Sequence, residues 1–342
     1  METVCDVIQH HSINSITCDV HQGPPSLPFE LLEEVAKQAL SAASAEGKAQ
    51  WQTAAGFGFA NHMFRKAFLP AWFRSFRVRE AKDWELAASI PNFYYWVREL
   101  ACHSYHAILP THVSLFANFI GLRRVQIDIH RHYPSNPTCL GVFHDLTRTL
   151  PPSVQSLDYT FDSASQLQAA IPMAARLTNL RRLSLNCCKL TCHGRGFQAL
   201  AGRDRFLAQL HISDKYGDTI SKELAPLKSL QSLTVGAFLG PRSTVQVHAT
   251  LHCALFPGFR IIAPGSECHL TSDVCMECDD FFGTRTLQNE MAASKTLAEA
   301  LPALQNVRWS SWFTHRKDGF NSFTIDRSDP AVGIVVRKHF EK

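Results

Sequence analysis

The chain has 342 residues, 45% of them hydrophobic and 19% charged, with a formal net charge of +4. That is enough apolar material for a large core, too little charge for wholesale disorder, and no case on charge alone for nucleic acid. Its eleven cysteines, odd in number and scattered, fit free thiols in an intracellular protein better than a secreted disulfide framework.

Residues 1–24 read as a polar N-terminal tail without the basic start and apolar run of a secretory signal. A helix is predicted in PPSLPFELLEEVAKQALSA. Pro28 suits a first turn, Glu30, Glu33 and Glu34 suit the positive end of the helix dipole, and Leu31, Leu32, Val35 and Ala39 form one apolar face. A polar break around Gly47 follows. A second helical region, QWQTAAGFGFANHMFRKAFLPAWFRSFRV, clusters Phe59, Met63, Phe64 and Phe68 on one side and ends or kinks at Pro70. HAILPTHVSLFANFIGL, His106–Leu122, is broken by Pro110, His112 and Asn118 well short of the ~20 apolar residues of a membrane span. The reading is a soluble, cytoplasmic or nuclear protein.

Beyond residue 80 short apolar strings recur, each able to form a strand: VRELACHS, LRRVQIDIH, VQSLDYTFD, LRRLSLNCC, LAQLHISD and LQSLTVGAF, then FRIIAP and LQNVRWSSW. They align on Leu100, Val125, Leu157, Leu183, Leu210 and Leu233, at steps of 25, 32, 26, 27 and 23 residues. Four of these steps lie in the leucine-rich-repeat range of about 20–29 residues. Leu180, Leu183, Leu185, Cys188 and Leu190 fill every defined position of L-x-x-L-x-L-x-x-N/C-x-L. Helices or irregular segments are predicted between the strands, at DSASQLQAAIPMAARLTN, HGRGFQALAGRDRF and GDTISKELAPLKS. The period weakens after Gly240, and GTRTLQNEMAASKTLAEALPAL reads as one long helix. The fold expected is α/β: a small helical region at 25–80, a parallel-sheet horseshoe at 81–330 and a C-terminal tail at 331–342.

Two stretches point to a family. SLPFELLEEV, Ser26–Val35, looks like the first helix signature of an F-box, and GFANHMFRKAFLPAWFRSFRV, Gly58–Val78, is similar to its later part. The tail LQNVRWSSWF…GFNSFTIDR resembles the last repeat of fungal F-box/leucine-rich-repeat proteins. The resemblance implies the substrate receptor of an SCF-type ubiquitin ligase, with no chemistry of its own and no cofactor. It implies adaptor contacts at Leu27, Pro28, Leu31, Leu32 and Val35, supported by Phe64. The alternative is a repeat scaffold without a ligase role, in which the same helices cap the first repeat.

Strand alternation says which residues a target protein would meet. If Leu183 and Leu185 point inward, Arg182, Ser184 and Asn186 point to the open face. The same register gives Arg124, Gln126 and Asp128; Ser156, Asp158 and Thr160; Gln209, His211 and Ser213; and Ser232 and Thr234.

Other chemistries are weaker. Cys268, His269, Cys275 and Cys278 include a single C-x-x-C, whereas zinc sites usually pair two such knuckles. Cys187 and Cys188 are neighbours that point to opposite faces of a strand, and nothing marks a base to activate Cys192 beside His193. GFGFANH lacks a third glycine and a preceding strand, so no nucleotide loop is predicted. The basic and aromatic segment FRKAFLPAWFRSFR reads as a snorkelling helical face, with no membrane or nucleic-acid partner expected.

Overall fold

The first helix, α1 (Phe29–Ala42), starts directly after Pro28, whose carbonyl accepts from the N–H groups of Leu31 and Leu32. Its inward stripe is Leu32, Ala36 and the half-buried Leu40, spaced at four residues, and it packs against α2 (His62–Trp72). Asn61 caps α2, its side-chain oxygen accepting from Phe64 N at 3.0 Å. The single apolar face expected on α1 is therefore corrected. A helix with one packed neighbour buries one narrow stripe, and Leu31, Val35 and Ala39 lie outside it. Pro70 does not end α2, which runs on to Trp72, and Phe73 N still donates to Leu69 O. Phe68, Trp72 and Phe73 are buried, whereas Met63, expected beside Phe68, is exposed.

The computed structural model describes residues 27–42, 56, 58, 60–103, 108, 110–128, 138–161, 164–187, 216–237, 239–240, 279–310, 320–329 and 331–339. Among these a nine-stranded sheet runs in simple chain order. Its strands are β1 (Ser75–Val78), β2 (Glu99–Cys102), β3 (Arg124–Asp128), β4 (Ser156–Phe161), β5 (Arg182–Cys187), β6 (Ser232–Val235), β7 (Asn306–Ser310), β8 (Phe320–Asp326) and β9 (Val335–Lys338). β1 to β7 are parallel; β8 and β9 close the series antiparallel.

One register runs through the parallel strands. Phe76, Leu100, Val125, Leu157, Leu183, Leu233 and Val307 stand opposite one another, followed two residues on by Val78, Cys102, Ile127, Tyr159, Leu185, Val235 and Trp309. All fourteen are buried, and each aliphatic member contributes about 1.5–3 kcal/mol by leaving water. A further apolar residue lies three positions before the first column on β2 to β7: Val97, Leu122, Val154, Leu180, Leu230 and Leu304, again buried. The turn into each strand thus carries its own core residue.

The connections supply the second layer. α3 (Lys82–Ala88) and α4 (Phe93–Trp96) follow β1, and a 3-10 helix (Pro110–Asn118) follows β2. α5 (Thr138–Thr149), α6 (Ala164–Ala174), α7 (Tyr216–Leu224) and α8 (Thr284–Ala300) stack in that order, each against the next. Aromatic rings fill the space beneath them, with Trp84, Phe93, Phe116 and Phe119 at the first turns and Phe143, Tyr159 and Phe161 further on. Arg327 closes the C-terminal end of α8 and the turn after it, donating to the carbonyls of Ala298, Leu301 and Leu304, where a cation suits the helix dipole.

The mixed α/β class with a mainly parallel sheet is as expected; the segments expected to be helical or irregular at α6 and α7 are helices, and the long helix expected at α8 is present. Three expectations need correction. The sheet begins at Ser75, ahead of the boundary placed after residue 80. β5 pairs directly with β6, so Leu183 stands opposite Leu233 with no strand between them; Leu210 lies outside the described residues. The chain beyond 331 is not a simple tail, because β9 hydrogen-bonds to β8. No helix among the described residues is long and apolar enough to cross a membrane.

Candidate functional site

Two surfaces gather the residues singled out by sequence. The first is the outer stripe of α1. Leu31 and Val35, four residues apart on α1, stay 51% and 45% exposed; Leu27, just ahead of the helix, is 52% exposed, and Met63 on α2 is also exposed. Pro28 is exposed at the head of this stripe, and Phe64 is half-buried on α2. Leu32 is different: at 3% exposure it faces α2 and holds the stripe in place without presenting a contact itself. Lys66 on α2 sits 5.6 Å above the Phe29 ring, a second tie between the two helices. A ridge of large aliphatic side chains in water is costly to leave uncovered, and it has the form of a helix-docking surface.

The second surface is the open face of the sheet. Arg124, Gln126 and Asp128 stand on β3, Asp158 on β4, and Arg182, Ser184 and Asn186 on β5; Gln126, Asp158 and Ser184 each lie between two buried residues. Arg124 and Arg182 share a row with Ser156 between them. The carboxylate partner of Arg124 is Glu99 on β2, at 3.4 Å, and both side chains are well exposed. Such a pair is worth little in stability. Further along the strands the groups interlock. Asn186 Nδ2 donates to Asp158 Oδ1 and to Ser184 Oγ, each at 2.9 Å. Burial pushes the Asp158 carboxyl up from its ordinary value; hydrogen bonds from Ser184 and Asn186 and the charge of His103 oppose this, and Asp128 adds to it. His103, just beyond β2, is a member of this group that the repeat alignment did not single out. Thr234, expected on the open face, is buried. Gln209, His211 and Ser213 lie outside the described residues, as do Cys188, Cys192, His193, Cys268, His269, Cys275 and Cys278.

Among the described residues no three His, Cys, Asp or Glu side chains gather as metal ligands do. Cys102 is a free, buried thiol in the second core column, and its pKa is pushed up by burial and by the charge of Asp83, the reverse of an activated nucleophile. No family model matches the chain, and no curated protein matches it.

Proposed function

We propose that the protein is the substrate-recognition subunit of an SCF-type ubiquitin ligase. In this reading the sheet is a leucine-rich-repeat solenoid, α1 and α2 form an F-box-like adaptor module, and the open face captures a target protein. The observation that carries it is the exposed Leu27–Leu31–Val35 ridge on a helix pair at the head of the sheet. Two further facts support it. Each crossover advances one strand in one direction, as stacked repeats require, and the buried columns repeat from strand to strand.

The test is capture of the ligase adaptor by purified protein. Wild type binds, and L31E/V35E abolishes binding while its unfolding free energy in urea stays within about 0.5 kcal/mol of wild type, as expected for exposed positions. Leu32→Glu, by contrast, loses binding and fold together. Absence of wild-type binding, where a known F-box protein binds, rejects the reading.

A second reading has its own observation. Phe68, Trp72 and Phe73 join the core continuous with β1, so α2 also covers the end of the sheet. A repeat scaffold that uses these helices only as a cap predicts no adaptor binding, and unfolding of the first strands when residues 27–72 are removed.

A further inference from the structure

We propose that the N-terminal edge of the parallel sheet is a docking rim for an acidic, extended segment of the target protein; this rests on the receptor reading above. The rim is a ladder. Arg98 N donates to Arg74 O, Arg123 N to Arg98 O, Gln155 N to Arg123 O and Arg181 N to Gln155 O. Arg74, Arg98, Arg123 and Arg181 therefore occupy one rung of successive strands, with a single Gln among them. One residue further on, Arg124 and Arg182 extend the charge onto the open face. Of these six arginines only Arg98 is half-buried; the others are exposed.

The rim is also starved of acid. The turns at 89–98, 119–123, 150–155, 176–181, 225–231 and 301–305 contain no Asp or Glu, and two of them add Arg176 and Lys228. On the strand rung next to them Glu99 is the one carboxylate from β1 to β7. In a chain of net charge +4 this is segregation, since the acidic groups of the same face, Asp128 and Asp158, sit farther along their strands. The basic edge is built rather than floppy at Arg98. Its guanidinium donates to the carbonyls of Tyr95 and Val97, and it lies across Gly121 so closely that a Cβ there would collide with it.

From β1 to β5 the rim is about 19 Å long, which an extended peptide covers with about six residues. Guanidinium groups pair with carboxylates through two parallel hydrogen bonds. Tyr95 and Ile120, 58% and 61% exposed in the first two turns, give apolar contacts beside the charges. A single-stranded nucleic acid would use a series of aromatic platforms, and Tyr95 is the one large exposed aromatic in these turns. A membrane surface would need a broader apolar face than two side chains.

Fluorescence anisotropy on the full chain tests this, with a labelled peptide carrying a run of about six Glu residues. A Gly/Ser peptide, an oligonucleotide of equal charge and phosphatidylserine vesicles are titrated in parallel. The expected result is binding of the acidic peptide, weakened by salt and at least tenfold by R123E/R181E, with adaptor capture unchanged in that variant. The proposal is overturned if the acidic peptide does not bind at low salt, if R123E/R181E binds it equally, or if the oligonucleotide or vesicles bind more tightly. Adaptor capture and peptide binding are read separately, so failure of the receptor reading and failure of the rim are distinguishable.

Discussion

Glu290 carries its carboxyl into the seam between α8 and β8, fully buried, where Asn321 Nδ2 donates to Oε2 at 2.8 Å. Oε1 has no partner among the described residues. Burial pushes the group up to about 8, against the opposing hydrogen bond from Asn321 and the charge of Lys338 on β9. The neighbouring contacts are polar but neutral: Trp309 Nε1 donates to Ser294 Oγ, which donates to Glu290 O. The folded state therefore holds a proton that the unfolded chain releases near its ordinary value of 4.5. Stability is greatest below that value and falls as pH rises towards 8, with a slope of up to about 1.4 kcal/mol per pH unit. Glu290→Gln keeps the shape and removes the titration. Urea midpoints from pH 5 to 8 are expected to fall in wild type relative to the variant, and parallel curves would refute the assignment. Nothing in NEMAASK marks this residue as buried, because helical spacing places apolar residues and a lone Glu reads as solvent-facing. Leu183 and Leu185, by contrast, were legible from their spacing alone, as were Arg124, Asp158 and Asn186 between the apolar columns.

At the scale of elements, the seam between α7 and α8 depends on Gly217. A Cβ built there falls 2.8 Å from both Cα and Cβ of Ala293, so backbone as well as side chain must move. Alanine is ordinarily better than glycine in a helix by about 1 kcal/mol. Overpacking against a neighbouring backbone costs about 1–3 kcal/mol, so the collision outweighs the propensity. Gly217→Ala is expected to lower stability, measured by thermal or urea unfolding, and a stabilised variant would show that the helices can separate freely. α8 was legible as a long helix, and α6 and α7 as helical or irregular connections between strands, but such contacts were not, since a glycine in a polar helix start looks like a turn. The same limit explains α1. Its sequence offers one broad apolar face, and only the position of α2 decides that Leu32 is packed while Leu31 and Val35 meet water.

For the whole molecule, the parallel strands were legible because one residue pattern recurs, and the sheet's two ends were not because they leave that pattern. β1 lies in a segment that reads as helix end, and β8 and β9 reverse direction after β7. This antiparallel pair has a physical task. A parallel sheet stopping at β7 would expose a row of unpaired backbone groups, a template for pairing with another chain. β8 covers that edge, with Phe323 opposite Val307 and Asn321 opposite Trp309. It also buries Phe323 and Ile325, supplies the hydrogen bond to Glu290, and leads to Arg327, which closes the end of α8. A chain ending at residue 319 loses all of these together. Losing one large buried aromatic costs about 3–5 kcal/mol, and whole domains are stable by about 5–15 kcal/mol. The truncated chain is therefore expected to lose cooperative unfolding in urea and to self-associate through β7, seen as a concentration-dependent shift in size-exclusion elution. A monomer with the wild-type midpoint would mean that β7 tolerates an open edge, and that the closing pair is an appendage rather than part of the folding unit.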